Sequence, residues 1–403
     1  MKLFLFTEKF PYGKQETFLE NELPFLTEKF EKVIIIPLYK QEEMRKMPHN
    51  VDVWQPILAF NPKNRKKLIR SGIFNLSPIG FAIKEFFVKR VYTIRNWLWS
   101  FFTSLLLFRV MYANKKFKSK LCNKICEGDK LYFYWGYKSS LLIPYIKKRI
   151  NNKYYVRFHG SDLYEKVGNG YIPFRKYLFS AIDWIMPISE NGKKYLIENY
   201  PFIASQKIHI SRLGVFDNGQ NADKKDSDTF HLLSCSNVIP LKRIHLIIEA
   251  LQQIEFNIKW THIGSGILFE NIKKEVELLP ENVTANIVGM LSNKEVMRFY
   301  QQNHIDLFIN VSNSEGVPVS IMEAFSFGVP TIATDVGGTS EIVDDTVGKL
   351  LDVNISGREI AETIELFSKS DLSDIRQNAR NRWNERSNAE RNYREFVKFM
   401  IEN

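Results

Sequence analysis

Two glutamates eight positions apart, Glu315 and Glu323, flank a turn suited to anions. They lie in Ser312-Asn313-Ser314-Glu315-Gly316-Val317-Pro318-Val319-Ser320-Ile321-Met322-Glu323-Ala324-Phe325, which follows an apolar strand expected at 306–309. Gly316 permits a tight turn, and Pro318 suits the first position of a helix, where a missing N–H costs nothing. The helix should run through Phe327, with Gly328 ending it and Pro330 opening the next strand. Free amides at its start, beside the carboxyl end of a strand, favour a phosphate. A carboxylate on such a helix can grip paired hydroxyls, as on a ribose or hexose. Lys242, within Ser236-Asn237-Val238-Ile239-Pro240-Leu241-Lys242-Arg243, falls in the first turn of another helix. The helix dipole disfavours a cation there unless an anion answers it. His159 closes the apolar run Tyr155-Val156-Arg157-Phe158 and is followed by Gly160, which puts an imidazole at the end of a strand.

Parallel strands with crossover helices would position these groups, because short β-branched runs alternate with longer amphipathic ones. Strands are expected at 2–6, 33–38, 131–134, 154–158, 184–188, 231–234, 258–263, 284–288, 306–309 and 331–334. Their nearly unbroken apolarity fits strands covered on both faces. A polar, turn-rich stretch interrupts the rhythm and predicts an N-terminal lobe over 1–212, a linker over 213–229 and a second lobe over 230–387. In the tail 388–403, Tyr393, Phe396, Val397 and Met400 recur at helical spacing. The chain of 403 residues is 44% hydrophobic and 25% charged, which excludes a disordered or collagen-like class. Its three cysteines predict no disulfide framework and a reducing compartment. Asp226-Ser227-Asp228 has the spacing of a metal-holding pair but lies in the polar linker, so no metal is expected.

The Glu315–Glu323 block resembles the mark of family-4 retaining glycosyltransferases of the GT-B fold. Thr331-Ile332-Ala333-Thr334-Asp335-Val336-Gly337-Gly338-Thr339-Ser340-Glu341-Ile342-Val343 continues the likeness. The resemblance implies an α/β fold of two Rossmann-like parallel-sheet lobes facing a cleft, with the tail helix packed back on the first lobe. It implies that Glu315 contacts the donor sugar, Glu323 binds the ribose, and the loop of Ser314, Gly316, Val317 and Val319 holds the diphosphate. Lys242 matches the lysine of the family's clamp on the leaving diphosphate. Asn237 stands where an arginine is usual, so either one cation suffices or Arg243 supplies the second. Gly264 and Gly266 match the family's Gly-x-Gly loop, though a dinucleotide fingerprint would need a third glycine. Met290 and Leu291 stand where the family lines the nucleobase, His159 beside the donor sugar, and Gly13 in a glycine loop near donor and acceptor. The reaction implied needs no cofactor beyond a nucleotide-diphosphate sugar as donor substrate. Two alternatives share this architecture: a nucleotide-sugar 2-epimerase-type isomerase and a non-catalytic sugar-binding protein.

The net charge of +11 is concentrated in one segment. Residues 61–120 hold fourteen Lys/Arg against one acid, Glu85, so the rest of the chain is slightly acidic. Phe74, Phe81, Phe86, Phe87, Trp97, Trp99, Phe101 and Phe102 are interleaved with those cations. No base-reading module surrounds them, so no nucleic acid is expected. Rings and cations together suit an anionic lipid surface. The longest uncharged run, 96–108, is too short to span a bilayer. The start of the chain lacks the apolar core of a signal peptide. A glycan or lipid-linked acceptor, used at the inner face of the cytoplasmic membrane in surface polysaccharide assembly, is the corresponding expectation.

Overall fold

A computed structural model describes residues 1–403 except 14–15, 41–42, 62, 73–75, 90–91, 169 and 224–228. The chain divides into two compact units, Met1–Ser211 with Tyr393–Asn403, and Arg212–Asn392.

The first unit is built on β1 (Lys2–Thr7), β2 (Lys32–Pro37), β3 (Val51–Val53), β4 (Lys130–Phe133), β5 (Lys153–Phe158) and β6 (Trp184–Pro187). They pair in parallel in the order β3-β2-β1-β4-β5-β6. Leu3, Phe4, Leu5 and Phe6 are all fully buried, as a strand covered on both faces requires. The second unit holds β7 (Phe230–Cys235), β8 (Ile258–Ile263), β9 (Val283–Gly289), β10 (Leu307–Asn310), β11 (Thr331–Thr334) and β12 (Gly348–Leu351). Its order, β12-β11-β10-β7-β8-β9, is the same doubly wound topology, again entirely parallel. In each unit the winding reverses once, between β1 and β4 and between β7 and β10. Ligands of open α/β sheets bind at the carboxyl ends of such a pair.

All ten expected strands form, with ends moved by a residue or so. Two more, β3 and β12, lie at sheet edges and are only three and four residues long. Described residues of the segment expected as a linker make contacts within the second unit. Val215 bridges Asn388, and the Asn221 side chain donates to the Tyr300 and Asn303 carbonyls and accepts from the Ile305 amide. Asp226, Ser227 and Asp228 lie outside the described residues. The helix Ala389–Glu402 turns Tyr393, Phe396, Val397 and Met400 into the first unit's core. There the Phe396 ring meets Tyr132 at 5.1 Å, and the Tyr155 hydroxyl donates to the Met400 carbonyl at 3.1 Å.

The basic segment folds into the helices Arg65–Gly72, Ser77–Lys89, Ile94–Phe108 and Lys115–Lys124, joined by the π-helical turn Arg109–Ala113. The apolar run at 96–108 mostly faces inward, with Leu105, Leu106, Leu107 and Phe108 buried. Exposed apolar side chains of the segment include Ile83, Phe86, Phe87 and Val88, Ile94 just before this run, and Leu98 and Trp99 near its start. Glu85, its only acid, is buried and accepts from the Tyr171 hydroxyl and the Phe174 amide. Among the described residues, no helix is long and apolar enough to cross a membrane.

Candidate active site

In the second unit the loops after β7 and β10, neighbours at the winding reversal, bring two opposite charges together. The Lys242 Nζ lies 2.5 Å from Glu315 Oε1, with both side chains largely buried. Asn310, the last residue of β10, donates from Nδ2 to the same oxygen at 3.2 Å and accepts the Ser312 amide on Oδ1. The Asn313 amide donates to the Leu241 carbonyl at 2.8 Å, which ties the two loops directly. Burial strengthens such a pair relative to water, but it also makes either charge costly if left alone.

The helix Val319–Ser326 starts just beyond, with Pro318 as its N-cap and not its first residue. The first intrahelical acceptor, the Pro318 carbonyl, serves Ile321 and Met322, so the Val319 and Ser320 amides precede the helical ladder. Glu323 is buried on this helix and accepts from Asn293 Nδ2 at 2.6 Å. Burial raises its carboxyl to a pKa of about 7, an effect the Asn293 bond only partly offsets. Gly337, at φ +60°, sets a hypothetical Cβ 1.9 Å from the Glu315 carbonyl oxygen, and the Gly338 amide donates to the Gly316 carbonyl at 2.7 Å. The Gly-Gly turn is therefore the seat on which the Glu315–Gly316 loop rests.

Other expected site residues have structural work of their own. Arg243, at φ +49°, donates from Nε to the Val311 carbonyl and from Nη1 to the Val353 carbonyl. Its guanidinium thus braces the loop after β10 in place of standing free as a second clamp cation. Gly264 and Gly266 lie against the loop after β7, where a Cβ would meet the Ser236 carbonyl at 1.8 Å and the Val238 carbonyl at 2.3 Å. Close backbone packing accounts for both glycines. Asn237 is exposed on that same loop, Met290 is 65% exposed after β9, and Leu291 is half-buried against the core. Ser314, Gly316, Val317 and Val319 are all half-buried around the helix start.

In the first unit His159 follows β5 and is buried, with its ring 4.8 Å from Tyr134 and 4.4 Å from Trp135. Its amide donates to Asp162 Oδ1 at 2.6 Å, and Asp162 Oδ2 accepts the Gly136 amide at 2.7 Å. Neither ring nitrogen has a hydrogen-bond partner among the described residues. Gly13 takes φ +68° in the loop after β1. Glu16, which no motif singled out, organises that loop: its carboxylate accepts the Glu8, Lys9 and Phe10 amides and Trp135 Nε1. Asn310, Asn293 and Trp135 were likewise not evident as site residues, and only their places at strand ends or helix starts could have flagged them.

Residues 216–389, nearly the whole of the second unit, match the family described as glycosyl transferases group 1. The fold is GT-B, and the match of the second unit is to the group 1 glycosyl transferases. The amylovoran biosynthesis glycosyltransferase AmsK of Erwinia amylovora is 24% identical over 366 residues, 86% of either chain. WcaL of Escherichia coli strain K12, assigned provisionally by its name to colanic acid biosynthesis, is 26% identical over 237 residues. That match spans 56% of this chain and 58% of WcaL. The solved lipopolysaccharide outer core galactosyltransferase WaaB shares the fold, with a TM-score of 0.68 at 13% identity, over 100% of this chain and 99% of that one. HepE from Anabaena, solved with UDP, gives 0.68 at 13% identity over the whole of both chains.

Proposed function

We propose that the chain moves a hexose-type sugar, with retention, from a nucleoside-diphosphate sugar to a lipid-linked glycan acceptor in surface polysaccharide assembly. The observation that carries this reading is the Lys242–Glu315 pair at the start of the helix Val319–Ser326. As the bond from C1 to the diphosphate breaks, negative charge grows on the leaving group. Lys242 and the Val319 and Ser320 amides are the groups that meet it, which is electrostatic stabilisation of a departing anion. Glu315, released from Lys242 by the arriving donor, is free to take a sugar hydroxyl. The acceptor hydroxyl then attacks on the leaving group's face and passes its proton to a phosphate oxygen. No metal is called for in this scheme, because cation and amides already face the charge. Glu323 takes the ribose hydroxyls and His159 the sugar. HepE, solved with UDP and with UDP-glucose, supports a nucleoside-diphosphate sugar as donor, and AmsK's name supports a polysaccharide product.

Membrane contact belongs to the same reading. The segment 61–120 turns its only acid inward and exposes lysines, arginines and large apolar side chains. Such a surface suits the headgroup region of an anionic bilayer. The test of the function is a donor panel with a lipid-linked acceptor, read by NMR for the anomeric configuration of the product. An inverted product rejects the retaining mechanism, and turnover with none of the nucleotide sugars rejects the transferase.

A further inference from the structure

We propose that a groove in the first unit holds the hydrocarbon chain of an anionic lipid, with its phosphate on Lys84, Lys148 and Lys176. The groove lies between the helix Ser77–Lys89 and residues 144–148 and 174–181, and encloses about 630 Å³. That is the size of an ordinary small-molecule site. Phe81, Val88, Pro144, Phe174 and Ala181 give it an apolar lining. Lys84, Lys148 and Lys176 stand exposed at its rim, with no ion-pair partner among the described residues. Lys147 differs, since Asp183 and the Ala181 carbonyl already hold it.

The lining is braced from beneath. Phe174 adopts the left-handed conformation at φ +63°, which a bulky side chain rarely takes. Its amide donates to Glu85 Oε1 at 2.8 Å, and the Tyr171 hydroxyl donates to the same oxygen at 3.0 Å. The Phe81 ring meets Phe174 and Tyr177 edge-on at 6.5 and 6.1 Å. Backbone strain of this kind persists only where the surroundings impose it, and it gathers at ligand sites. A buried carboxylate in the floor repels a phosphate, whereas three unpaired ammonium groups at the rim attract one. Charge thus orients the occupant, with headgroup outward and chain inward. Val88 lines the groove and also adjoins the exposed Phe87, so the groove opens beside the apolar face of its own helix. A chain leaving a bilayer could enter there without crossing water.

This inference rests on the lipid-linked acceptor proposed above, and its test requires no transfer. Farnesyl phosphate, below its aggregation concentration, is titrated into the full chain by calorimetry, with inorganic phosphate and farnesol as separate arms. One saturable site for farnesyl phosphate is expected, with weaker binding of farnesol and none of phosphate alone. Ala181→Trp, which fills the groove, and the surface double variant Lys148→Gln/Lys176→Gln should each weaken it by about tenfold or more. UDP or GDP binding should not change in either variant. Equal binding of inorganic phosphate would reduce the site to an anion patch and overturn the proposal. So would the absence of saturable binding, or undiminished binding in both variants. Vesicle adsorption is measured on the same proteins. If adsorption persists while farnesyl phosphate fails to bind, the groove is wrong and the membrane reading stands. The reverse result separates them the other way.

Discussion

The Lys242 ammonium and the Glu315 carboxylate are held 2.5 Å apart by two loops that the parallel pairing of β7 and β10 places side by side. The residues are 73 positions apart in the chain, so no local motif contains the pair. In the absence of donor each neutralises the other. On the proposed reading, a diphosphate that displaces Glu315 from Lys242 would take over the cation and free the carboxylate at once, coupling donor arrival to assembly of the sugar contact.

Removing the cation should therefore affect the chemical step more than binding. Lys242→Ala is expected to lower kcat by about 10²–10³-fold, by analogy with loss of one preorganised donor to a developing anion. KM for the donor should change much less. A rate equal to that of the unsubstituted chain, with Arg243 bracing its carbonyls as before, would remove Lys242 from the mechanism.

If Glu323 takes the ribose as proposed, nucleotide binding should depend on pH. Its pKa of about 7 in the folded chain lies above the ordinary 4.5, because burial penalises the charge. Between those values the folded state holds more protons than the unfolded one, so its contribution to stability falls as pH rises through that window. Ribose hydroxyls donate to the ionised carboxylate, so binding should change in the opposite sense and tighten from pH 6 to pH 8. Glu323→Gln should flatten this profile and lose roughly 1.5–3 kcal/mol of affinity at the alkaline end. Calorimetry across the range decides it, and a flat profile in the unsubstituted chain would take Glu323 off the ribose.

Gly337 should prove as important as the glutamates it supports. A Cβ there meets the Glu315 carbonyl, a backbone atom that cannot swing aside. Gly337→Ala is expected to displace the Glu315–Gly316 loop and cost about 1–3 kcal/mol of stability along with most activity. Gly219→Ala is the control, since Gly219 also has positive φ (+97°) but nothing within 4 Å. Thermal unfolding and turnover of both variants separate backbone strain from collision. Equal losses in the two would deny Gly337 its special place.

Much of this was legible in the sequence, for physical reasons that differ by element. Central strands such as β1 and β10 are buried on both faces and must be apolar throughout, so they announce themselves. The edge strands β3 and β12 take their pairing from one neighbour only and leave a trace of three or four residues. Glycines were visible, but what crowds them was not: Gly264 and Gly266 match a phosphate-loop spacing, yet the Ser236 and Val238 carbonyls already explain them. The part of Arg243 was left open because neighbouring cations look alike until their acceptors, here the Val311 and Val353 carbonyls, are known. Glu16 lies in the same loop as Gly13 but was not picked out as a site residue. Its role arises from amides of residues 8–10 and a tryptophan 119 positions away, which only the folded chain assembles.

Chelation should leave turnover intact. On the proposed reading the charge on the leaving diphosphate would face Lys242 and the helix amides, and a divalent ion would compete with that cation for the same oxygens. Donor hydrolysis in excess EDTA should match the untreated rate. Loss of activity, restored by Mg²⁺ or Mn²⁺, would mean the leaving group is neutralised by metal.

Adsorption to membranes should show two separable contributions. The charge surplus of residues 61–120 attracts anionic lipid with about 1 kcal/mol per cation near the surface. That attraction decays over a Debye length of roughly 10 Å at 0.1 M salt. Insertion of Phe86 and Phe87, 43% and 75% exposed, adds apolar burial that salt does not screen. The full chain should therefore bind vesicles containing anionic lipid at low salt, bind neutral ones weakly, and be only partly released by high salt. Replacing Lys63, Arg65, Lys66 and Lys67 with Gln should remove most of the salt-sensitive part. Phe86→Ser/Phe87→Ser should instead leave binding that high salt abolishes completely. Donor hydrolysis in solution should survive both changes, because these residues lie outside the loops proposed to hold the donor. If the unsubstituted chain ignores anionic vesicles at low salt, the apolar face meets something other than a bilayer, and the lipid-linked acceptor loses its support.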